Sequence, residues 1–281
     1  VENCVLQNNS SNNYSGGAIY VADNSNLILK NSILSSNTSN SLGGAIHSST
    51  SNIFLENVVL VDNSAHKGGG IALNGAAAYN NEADIINCTF FNNTSSKGLS
   101  IYNENGYINI YNSLLWSSNS MSSQIFNEIG SNTNIQYSNV LNGFFGNGNI
   151  NSAPLFVDAI SGDYRLSNFS PCIGVGLDTS IVPITDLDGN QRPFPIGSNP
   201  DLGAYENELA VPLTAGCIDS SALNYNSSAS NDDGSCIYPI FGCMDSLACN
   251  YNPLANISDS SCAAYDSIVI YETACDSFNF N

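Results

Sequence analysis

Basic residues are scarce in this sequence. It contains five Lys and Arg against 24 Asp and Glu, which gives a formal net charge of −19 at pH 7. Five cations neutralise few phosphates, and anionic lipids repel the acidic excess. The composition therefore argues against nucleic acid and anionic membrane surfaces as partners.

Long apolar runs are also absent, although 42% of the residues are apolar. No stretch is long enough to cross a bilayer, so we expect no membrane span in this part of the chain. Disordered chains have fewer apolar and aromatic residues, so we expect a packed fold. The first residues do not have the form of a signal peptide, and Val1 begins within a repeat. We therefore expect the chain to belong to a longer protein on both sides.

A short phrase recurs through the first half of the chain. It reads Gly-Gly-Ala-Ile at residues 16–19 and 43–46 and Gly-Gly-Gly-Ile at 68–71, with weaker copies at 99–102 and 123–126. A period of this length is typical of a solenoid, in which each coil buries its apolar face against the next coil. The isoleucines of the phrase are expected to form one buried, stacked column, consisting of Ile19, Ile46, Ile71, Ile101 and Ile125.

Each repeat also contains an asparagine with apolar residues two positions before it and three positions after it. Alternating apolar positions around the two phrases predict three short strands per coil. The predicted fold class is all-β: a right-handed parallel β-helix over residues 1–150, with coils about 4.8 Å apart. Stacked asparagines either form a hydrogen-bonded ladder or serve as turn residues. The two asparagine columns are Asn3, Asn31, Asn57, Asn87 and Asn112, and Asn9, Asn37, Asn63 and Asn93.

The repeats resemble the Gly-Gly-Ala-Ile coils of bacterial polymorphic outer-membrane proteins and other right-handed β-helix surface proteins. The resemblance covers about half of the chain and implies an exposed, surface-located solenoid.

The residue after each column isoleucine is expected to point outward, because side chains alternate along a strand. These outward residues are Tyr20, His47, Ala72, Tyr102 and Phe126. Aromatic rings one coil apart would form a stacking surface for sugar rings, with a gap at Ala72. The alternative is that aromatic residues simply suit the surface of a β-strand.

Residues 151–210 contain a series of short phrases that ends in Asp-Leu-Gly-Ala-Tyr-Glu at 201–206. The order of these phrases resembles the C-terminal end of many secreted bacterial β-helix proteins. The resemblance implies that this closing segment closes the helix, whose open end would expose unpaired strand edges. Asp186, Asp188 and Asn190 offer oxygens at alternate positions, which suits either a Ca²⁺ ion or a tight Asp-Gly-Asn turn.

Two short cysteine modules follow, over residues 211–240 and 241–265. Each contains two cysteines 19 residues apart, and this shared spacing predicts the disulfides Cys217–Cys236 and Cys243–Cys262. Dense cysteine in a small acidic segment indicates an oxidising, extracellular setting. The modules resemble the Cys repeats of large bacterial proteins that use type IX secretion, and residues 266–281 resemble the start of a further, truncated repeat.

Further roles for the modules follow from their side chains. Asp219, Asp232 and Asp233 are candidate Ca²⁺ ligands in the first module, and a metal-free, disulfide-stapled spacer is the equal alternative. Cys249 and Cys275 are a candidate third disulfide.

Catalytic side chains do not recur on any face of the predicted coils. A polysaccharide lyase needs a basic residue, yet Lys30, Lys67 and Lys97 stand at unrelated positions of the repeat. A glycosidase needs two carboxylates that face one bond, and no such pair recurs on a face of the coils. A nucleophile triad has no support either, because neither His47 nor His66 is accompanied by a nucleophile motif. We therefore predict a secreted or cell-surface structural and adhesive protein that binds glycans weakly or binds other surface proteins. A polysaccharide lyase or glycoside hydrolase of the β-helix type is the alternative.

Overall fold

A computed structural model describes residues 1–12, 15–75, 81–118 and 122–263. The chain divides into two compact units, Val1–Pro212 and Leu213–Asn281. Cys275 and the remainder of the predicted truncated repeat lie outside the described residues. None of the described segments is a helix of the length and apolarity that a bilayer span requires.

The first unit is an all-β parallel solenoid of about five turns, so the predicted fold class is confirmed. The Gly-Gly-Ala-Ile phrases form a five-stranded parallel sheet, with β3 (Ile19–Val21), β6 (Ile46–Ser49), β9 (Ile71–Asn74), β12 (Ile101–Glu104) and β15 (Ile125–Asn127). A small sheet completes part of the wall, with β2 (Ser10–Ser11), β5 (Thr38–Leu42) and β8 (Ser64–Lys67).

The largest sheet has nine strands and turns a corner within each coil. Its strands are β1 (Val5–Gln7), β4 (Asn26–Ser35), β7 (Asn52–Val61), β10 (Asn81–Ile86), β11 (Thr89–Phe91), β13 (Gly106–Tyr111), β14 (Leu114–Trp116), β16 (Asn132–Gln136) and β17 (Asn139–Val140). We call the strands before the corner arm A, which comprises residues 26–30, 52–56, 81–86, 106–111 and 132–136. The strands after the corner are arm B, which comprises residues 5–7, 32–35, 58–61, 89–91, 114–116 and 139–140.

The isoleucine column lies in the core as predicted. Ile46, Ile71 and Ile101 are fully buried and Ile125 nearly so, while Ile19 of the first coil packs against the core and is partly buried. Consecutive members are direct register partners on neighbouring parallel strands.

The two glycines of the phrase have different tasks. The first has a positive φ, as in Gly43 at +66°, a conformation that a side chain disfavours. A Cβ on the second would meet the backbone of the next coil, as Gly44 would meet the carbonyl oxygen of Gly69. The phrase therefore permits close stacking of the coils.

The two asparagine columns behave differently. Asn37, Asn63 and Asn93 are buried and form a continuous ladder, in which each Nδ2 donates to the Oδ1 of the next asparagine at 2.9–3.0 Å. The corner column has positive φ values of 45–53° from Asn31 to Asn112. Within that column only Asn57 and Asn31 share a side-chain hydrogen bond among the described residues, at 3.0 Å. The ladder prediction is therefore correct for the second column and largely wrong for the corner column.

The corner asparagines instead hold the closing segment. Asn57 Nδ2 donates to the carbonyl oxygen of Thr185 at 2.8 Å, and Asn112 Nδ2 donates to that of Leu177 at 2.9 Å. Asn87 Nδ2 donates to the carbonyl oxygen of Asp201 at 3.1 Å. These amides therefore satisfy the backbone of a segment that has few strands of its own.

The closing segment packs on the outer face of arm B. Val59 and Val61 of β7 lie in one apolar cluster with Tyr164 and Ala204, and Leu114 lies in another with Leu202. The segment contains one antiparallel hairpin, β18 (Phe156–Asp158) and β19 (Asp163–Leu166). These contacts run along the flank of the solenoid, where Val59, Val61 and Leu114 present apolar side chains outward. Closure of the helix end, which the sequence resemblance implied, stays a prediction.

The last coil is paired with the chain that directly follows it. Ile150 N donates to the carbonyl oxygen of Ser138 at 2.9 Å, and Tyr137 N donates to that of Asn147 at 2.8 Å. Phe144 packs against the main core. Residues 144–150 therefore cover core and strand groups that the final coil would otherwise expose.

The second unit contains the two expected disulfides. Cys217–Cys236 and Cys243–Cys262 each close a loop with a sequence separation of 19. Each module has one small parallel pair of strands, β20 (Ala215–Gly216) with β21 (Asn231–Asp232), and β22 (Phe241–Gly242) with β23 (Ile257–Ser258). The predicted Cys249–Cys275 pair involves a residue outside the described part of the chain and stays a prediction.

Candidate functional site

The predicted aromatic residues do share one column. Tyr20 pairs in register with His47, Ala72 follows, and Tyr102 pairs with Phe126. The ring centroids of Tyr20 and His47 are 5.1 Å apart, and those of Tyr102 and Phe126 are 6.1 Å apart. Both pairs are stacked, as one coil rise allows.

The column is not an open stacking platform, because its middle is buried. Tyr20 is 55% exposed, whereas His47 is 6% exposed and Tyr102 is fully buried. Burial lowers the pKa of His47 to about 4, so its imidazole is neutral at physiological pH. A sugar ring therefore has access to Tyr20 at one end of the column and not to the Tyr102 face.

Charged side chains surround Tyr102, the ring that borders the gap at Ala72. Lys67, from the same coil as Ala72, lies 4.6 Å from the centroid of the Tyr102 ring and donates to its hydroxyl at 3.0 Å. The Tyr102 hydroxyl donates to Glu128 at 3.0 Å, and Lys97 pairs with Glu128 at 3.0 Å. Lys67 therefore covers the Tyr102 ring that borders the gap, and the glycan site at this column stays a prediction.

Tyr102 is a poor general base in this setting. Burial raises the pKa of its hydroxyl, and the hydrogen bond to Glu128 raises it further. A general base near neutral pH needs the opposite shift. The Lys67–Tyr102–Glu128 cluster therefore braces the sheet rather than carrying a proton-transfer site.

Asp186 forms a structural turn. Its Oδ1 accepts from the backbone N–H groups of Asp188 at 3.0 Å and Asn190 at 2.7 Å, and its Oδ2 accepts from that of Glu206 at 3.0 Å. Asp188 is paired with Arg165 at 2.8 Å. These contacts are those of the Asp-Gly-Asn turn that the sequence offered as the alternative to Ca²⁺.

The acidic residues of the first cysteine module also bind local donors. Asp219 accepts from Ser221 N at 2.8 Å and from the Tyr238 hydroxyl at 2.9 Å, and Asp233 accepts from Ser235 N at 2.9 Å. Hydrogen bonds from Ser221 and Tyr238 lower the pKa of Asp219, and those from the side chain and backbone of Ser235 lower the pKa of Asp233. Asp232 accepts from the backbone N–H of Gly234 at 3.1 Å.

In the described part of the chain, no group of three or more His, Cys, Asp or Glu side chains has the arrangement of a metal site. The Ca²⁺ sites therefore stay predictions that rest on the sequence.

A buried ion pair fixes the closing segment to the corner. Arg192 Nε donates to Glu206 at 2.9 Å, and its Nη1 donates to Asn57 Oδ1 at 2.6 Å. Burial raises the pKa of Glu206, and burial together with the Glu206 charge raises the pKa of Asp201 to about 7. Removing either partner of such a pair leaves an uncompensated buried charge.

A pocket of about 520 Å³ lies within the closing segment and is lined in part by Phe194, Glu206 and Leu209. The oxygens of Glu206 already accept from Arg192, Phe194 N and Asp201 N. The Glu206 carboxylate is therefore satisfied by the protein itself and holds the closing segment together.

Arm A is different, because polar and aromatic side chains stand exposed on its outer face. Glu82 of β10, Tyr107 of β13 and Asn132 of β16 are register partners, and we call them the outer row. Tyr107 is 50% exposed, and Glu82 and Asn132 are also exposed. A second row lies two positions further along the same strands. It consists of Asp84, Asn109 and Asn134, and we call it the inner row. The two rows line a groove of about 300 Å³.

The inner row is internally bonded and the outer row is not. Asn109 Nδ2 donates to Asp84 at 3.0 Å, and Asn134 Nδ2 donates to Asn109 Oδ1 at 3.3 Å. Within the described residues, the side-chain polar groups of Glu82, Tyr107 and Asn132 have no hydrogen-bond partner. The groove thus presents three unengaged polar groups beside a row whose geometry is fixed by hydrogen bonds.

Sequence reasoning missed this groove, although one signal was present. Glu82-Ala83-Asp84 places two carboxylates at alternate positions, hence on one face of a strand. Placing Tyr107 in the same row requires the coils to be aligned first. The extra residues between β9 and β10 make that alignment hard to recognise in the sequence.

Comparisons with known proteins define no family for this chain. No protein-family model matches it, and no solved structure matches it. One stretch of 51 residues is 45% identical to ribulose bisphosphate carboxylase/oxygenase activase A, chloroplastic, of Hordeum vulgare. The match covers 18% of this chain and 11% of that protein's length. A match of this extent does not carry the activity of that protein to this chain.

Proposed function

We propose that this chain is a rigid segment of an extracellular or cell-surface protein with a structural and adhesive role. The single observation that carries the proposal is the division of the solenoid surface. Arm B is covered by the closing segment, whereas arm A presents exposed polar and aromatic side chains in register. A solenoid with an uncovered strand face suits binding along an extended partner.

The disulfides support the extracellular part of the proposal, because such bonds persist in oxidising compartments. The Gly-Gly-Ala-Ile coils and the cysteine modules resemble bacterial surface proteins and type IX secretion cargo, which suggests a bacterial cell surface. Weak glycan binding is the adhesive chemistry that the exposed Tyr107 ring on arm A favours.

Retention on glycans tests this proposal. A multimerised form of the chain is applied to an array of neutral, acidic and amino-sugar polysaccharides, because linked weak sites raise avidity without new contacts. The proposal expects selective retention on part of the array. A multimer that binds no glycan and no bacterial surface would contradict the adhesive role.

A glycoside hydrolase is the second candidate, and the Glu82–Asp84 pair favours it. Residues i and i+2 of a strand are about 6.6 Å apart along the chain, and paired catalytic carboxylates lie about 5–9.5 Å apart. Against it, Asp84 is already held by Asn109. Release of reducing ends by the wild-type protein, abolished in Glu82→Gln, would establish the enzyme and overturn the structural assignment.

A further inference from the structure

We propose that the groove on arm A binds an oligosaccharide that carries free amino groups, of the glucosamine type. This inference rests on the proposed adhesive function and names its ligand class and its site. The site consists of the outer row, Glu82, Tyr107 and Asn132, supported by the inner row, Asp84, Asn109 and Asn134.

The charge of the groove selects the ligand. Glu82 and Asp84 contribute two carboxylates to it. In the described strands of arm A, Lys30 is the one Lys or Arg, and it is paired with Glu56 at 2.9 Å. An ammonium group on the ligand complements the two carboxylates, whereas a uronate would be repelled.

The aromatic ring supplies the second contact. Half of Tyr107 is exposed, and it stands between Glu82 on one coil and Asn132 on the next. An exposed aromatic face packs against the apolar face of a sugar ring and attracts a nearby cation. The Tyr107 ring therefore favours an amino sugar over a simple amine.

The unengaged polar groups set the orientation. The Glu82 carboxylate accepts hydrogen bonds, the Tyr107 hydroxyl donates or accepts, and the Asn132 amide does both. Within the described residues none of the three has a protein partner to displace. Three neighbouring strands span about 10 Å, which accommodates about two sugar rings laid across the coils.

The inner row keeps the groove in shape. Asp84, Asn109 and Asn134 are joined by hydrogen bonds of 3.0 and 3.3 Å, so this side of the groove is ordered before a ligand arrives. Preorganisation of this kind lowers the entropic cost of binding. We regard these three as positioning residues.

Binding of two matched probes tests the inference. A soluble glucosamine oligomer and its fully N-acetylated counterpart have the same backbone and differ in charge. Titration calorimetry of the multimerised wild-type chain should show at least tenfold weaker binding of the acetylated oligomer. Binding of the glucosamine oligomer should weaken as salt rises, since charge pairing at an exposed groove is screened.

Two variants locate the site. Tyr107→Ala and Glu82→Gln should each weaken binding of the glucosamine oligomer by about tenfold, which corresponds to about 1.4 kcal/mol. Tyr20→Ala is the matched control, because Tyr20 is exposed to a similar extent on another sheet. Tyr20→Ala should bind like the wild type, and circular dichroism should show that all three variants are folded.

Three results would overturn the inference. These are equal binding of the acetylated oligomer, loss of binding in Tyr20→Ala instead of Tyr107→Ala, or no binding of either probe. In each case the adhesive function survives if the multimer binds another glycan or a bacterial surface, and it fails with the inference if the multimer binds neither.

Discussion

The internal asparagine ladder makes a strong prediction about stability. Asn63 is fully buried, and its side chain makes four hydrogen bonds. Its Oδ1 accepts from N and Nδ2 of Asn37 at 2.9 Å, and its Nδ2 donates to the carbonyl oxygen of Leu34 at 2.9 Å and to Asn93 Oδ1 at 3.0 Å. Asn63→Ala removes all four.

The size of the stability loss in Asn63→Ala depends on which buried polar groups lose their only partner. Asn37 Nδ2 still donates to the carbonyl oxygen of Leu6, and Asn93 Oδ1 still accepts from the backbone of Asn63. The backbone N–H of Asn37 and the carbonyl of Leu34 lose a buried partner, at about 1–3 kcal/mol each. With the cavity that the substitution leaves, we expect Asn63→Ala to lower the free energy of unfolding by about 3–6 kcal/mol.

Fluorescence provides the assay, because Trp116 is the sole tryptophan and lies in β14 of the solenoid. Guanidinium unfolding followed at Trp116 should show a large fall in the midpoint for Asn63→Ala. Asn52→Ala is the control. Its side chain donates to Asn26 Oδ1 at 3.1 Å and accepts from Glu82 N at 3.0 Å, but both bonds are exposed, so water replaces the lost partner and we expect a loss below about 1 kcal/mol. Equal midpoints for Asn63→Ala and the control would refute the role assigned to the ladder.

Three further perturbations have expected outcomes. Ile46→Ala should lower the free energy of unfolding by about 2–5 kcal/mol in the same fluorescence assay, because a fully buried side chain leaves a cavity. The pKa of His47 is about 4 in the folded state and about 6.5 in the unfolded state. The contribution of His47 to folding stability is therefore fully present above pH 6.5 and is lost as the pH falls towards 4, because the unfolded state takes up the proton first. Relative to His47→Phe, the wild type should lose about 3 kcal/mol between pH 7 and pH 4, measured as the difference between their denaturation midpoints. Arg192→Met should destabilise by about 3–5 kcal/mol in thermal unfolding, because Glu206 stays buried without its partner, and Arg192→Met combined with Glu206→Leu should recover most of the loss.

For each of these predictions, a specific outcome would contradict the reasoning. A wild type whose pH profile parallels that of His47→Phe would contradict the buried, neutral imidazole. The comparison isolates His47 from Asp201, whose raised pKa of about 7 makes stability fall as the pH rises from about 4 to 7. A combined Arg192 and Glu206 variant that is no more stable than Arg192→Met would contradict the charge argument. An Ile46→Ala protein with wild-type stability would place this isoleucine outside the core.

The coil architecture was accessible from the sequence because it is periodic. The isoleucine column and the register of Tyr20 with His47 follow from one repeated phrase, and strand alternation then fixes which residues face inward. The ladder of the second asparagine column could be predicted from the same periodicity, since its members stand at equivalent positions in each coil.

The burial of the aromatic column was not accessible from that periodicity. Tyr102 is covered because Lys67, 35 residues earlier, reaches its hydroxyl, and no repeat spacing encodes that contact. The docking of the closing segment likewise depends on pairs such as Arg192 with Asn57, which are 135 residues apart. One local signal was available, since the apolar run at residues 58–61 of β7 indicates a strand buried on both faces.

The central claim is that arm A is the binding face of this solenoid, and hydroxyl-radical footprinting tests it most directly. Tyr107 is 50% exposed and Tyr20 is 55% exposed, so the two rings should be oxidised at similar rates in the free protein. With the glucosamine oligomer present, the account predicts strong protection of Tyr107 and an unchanged rate at Tyr20. Protection of Tyr20 with an unchanged rate at Tyr107 would contradict it.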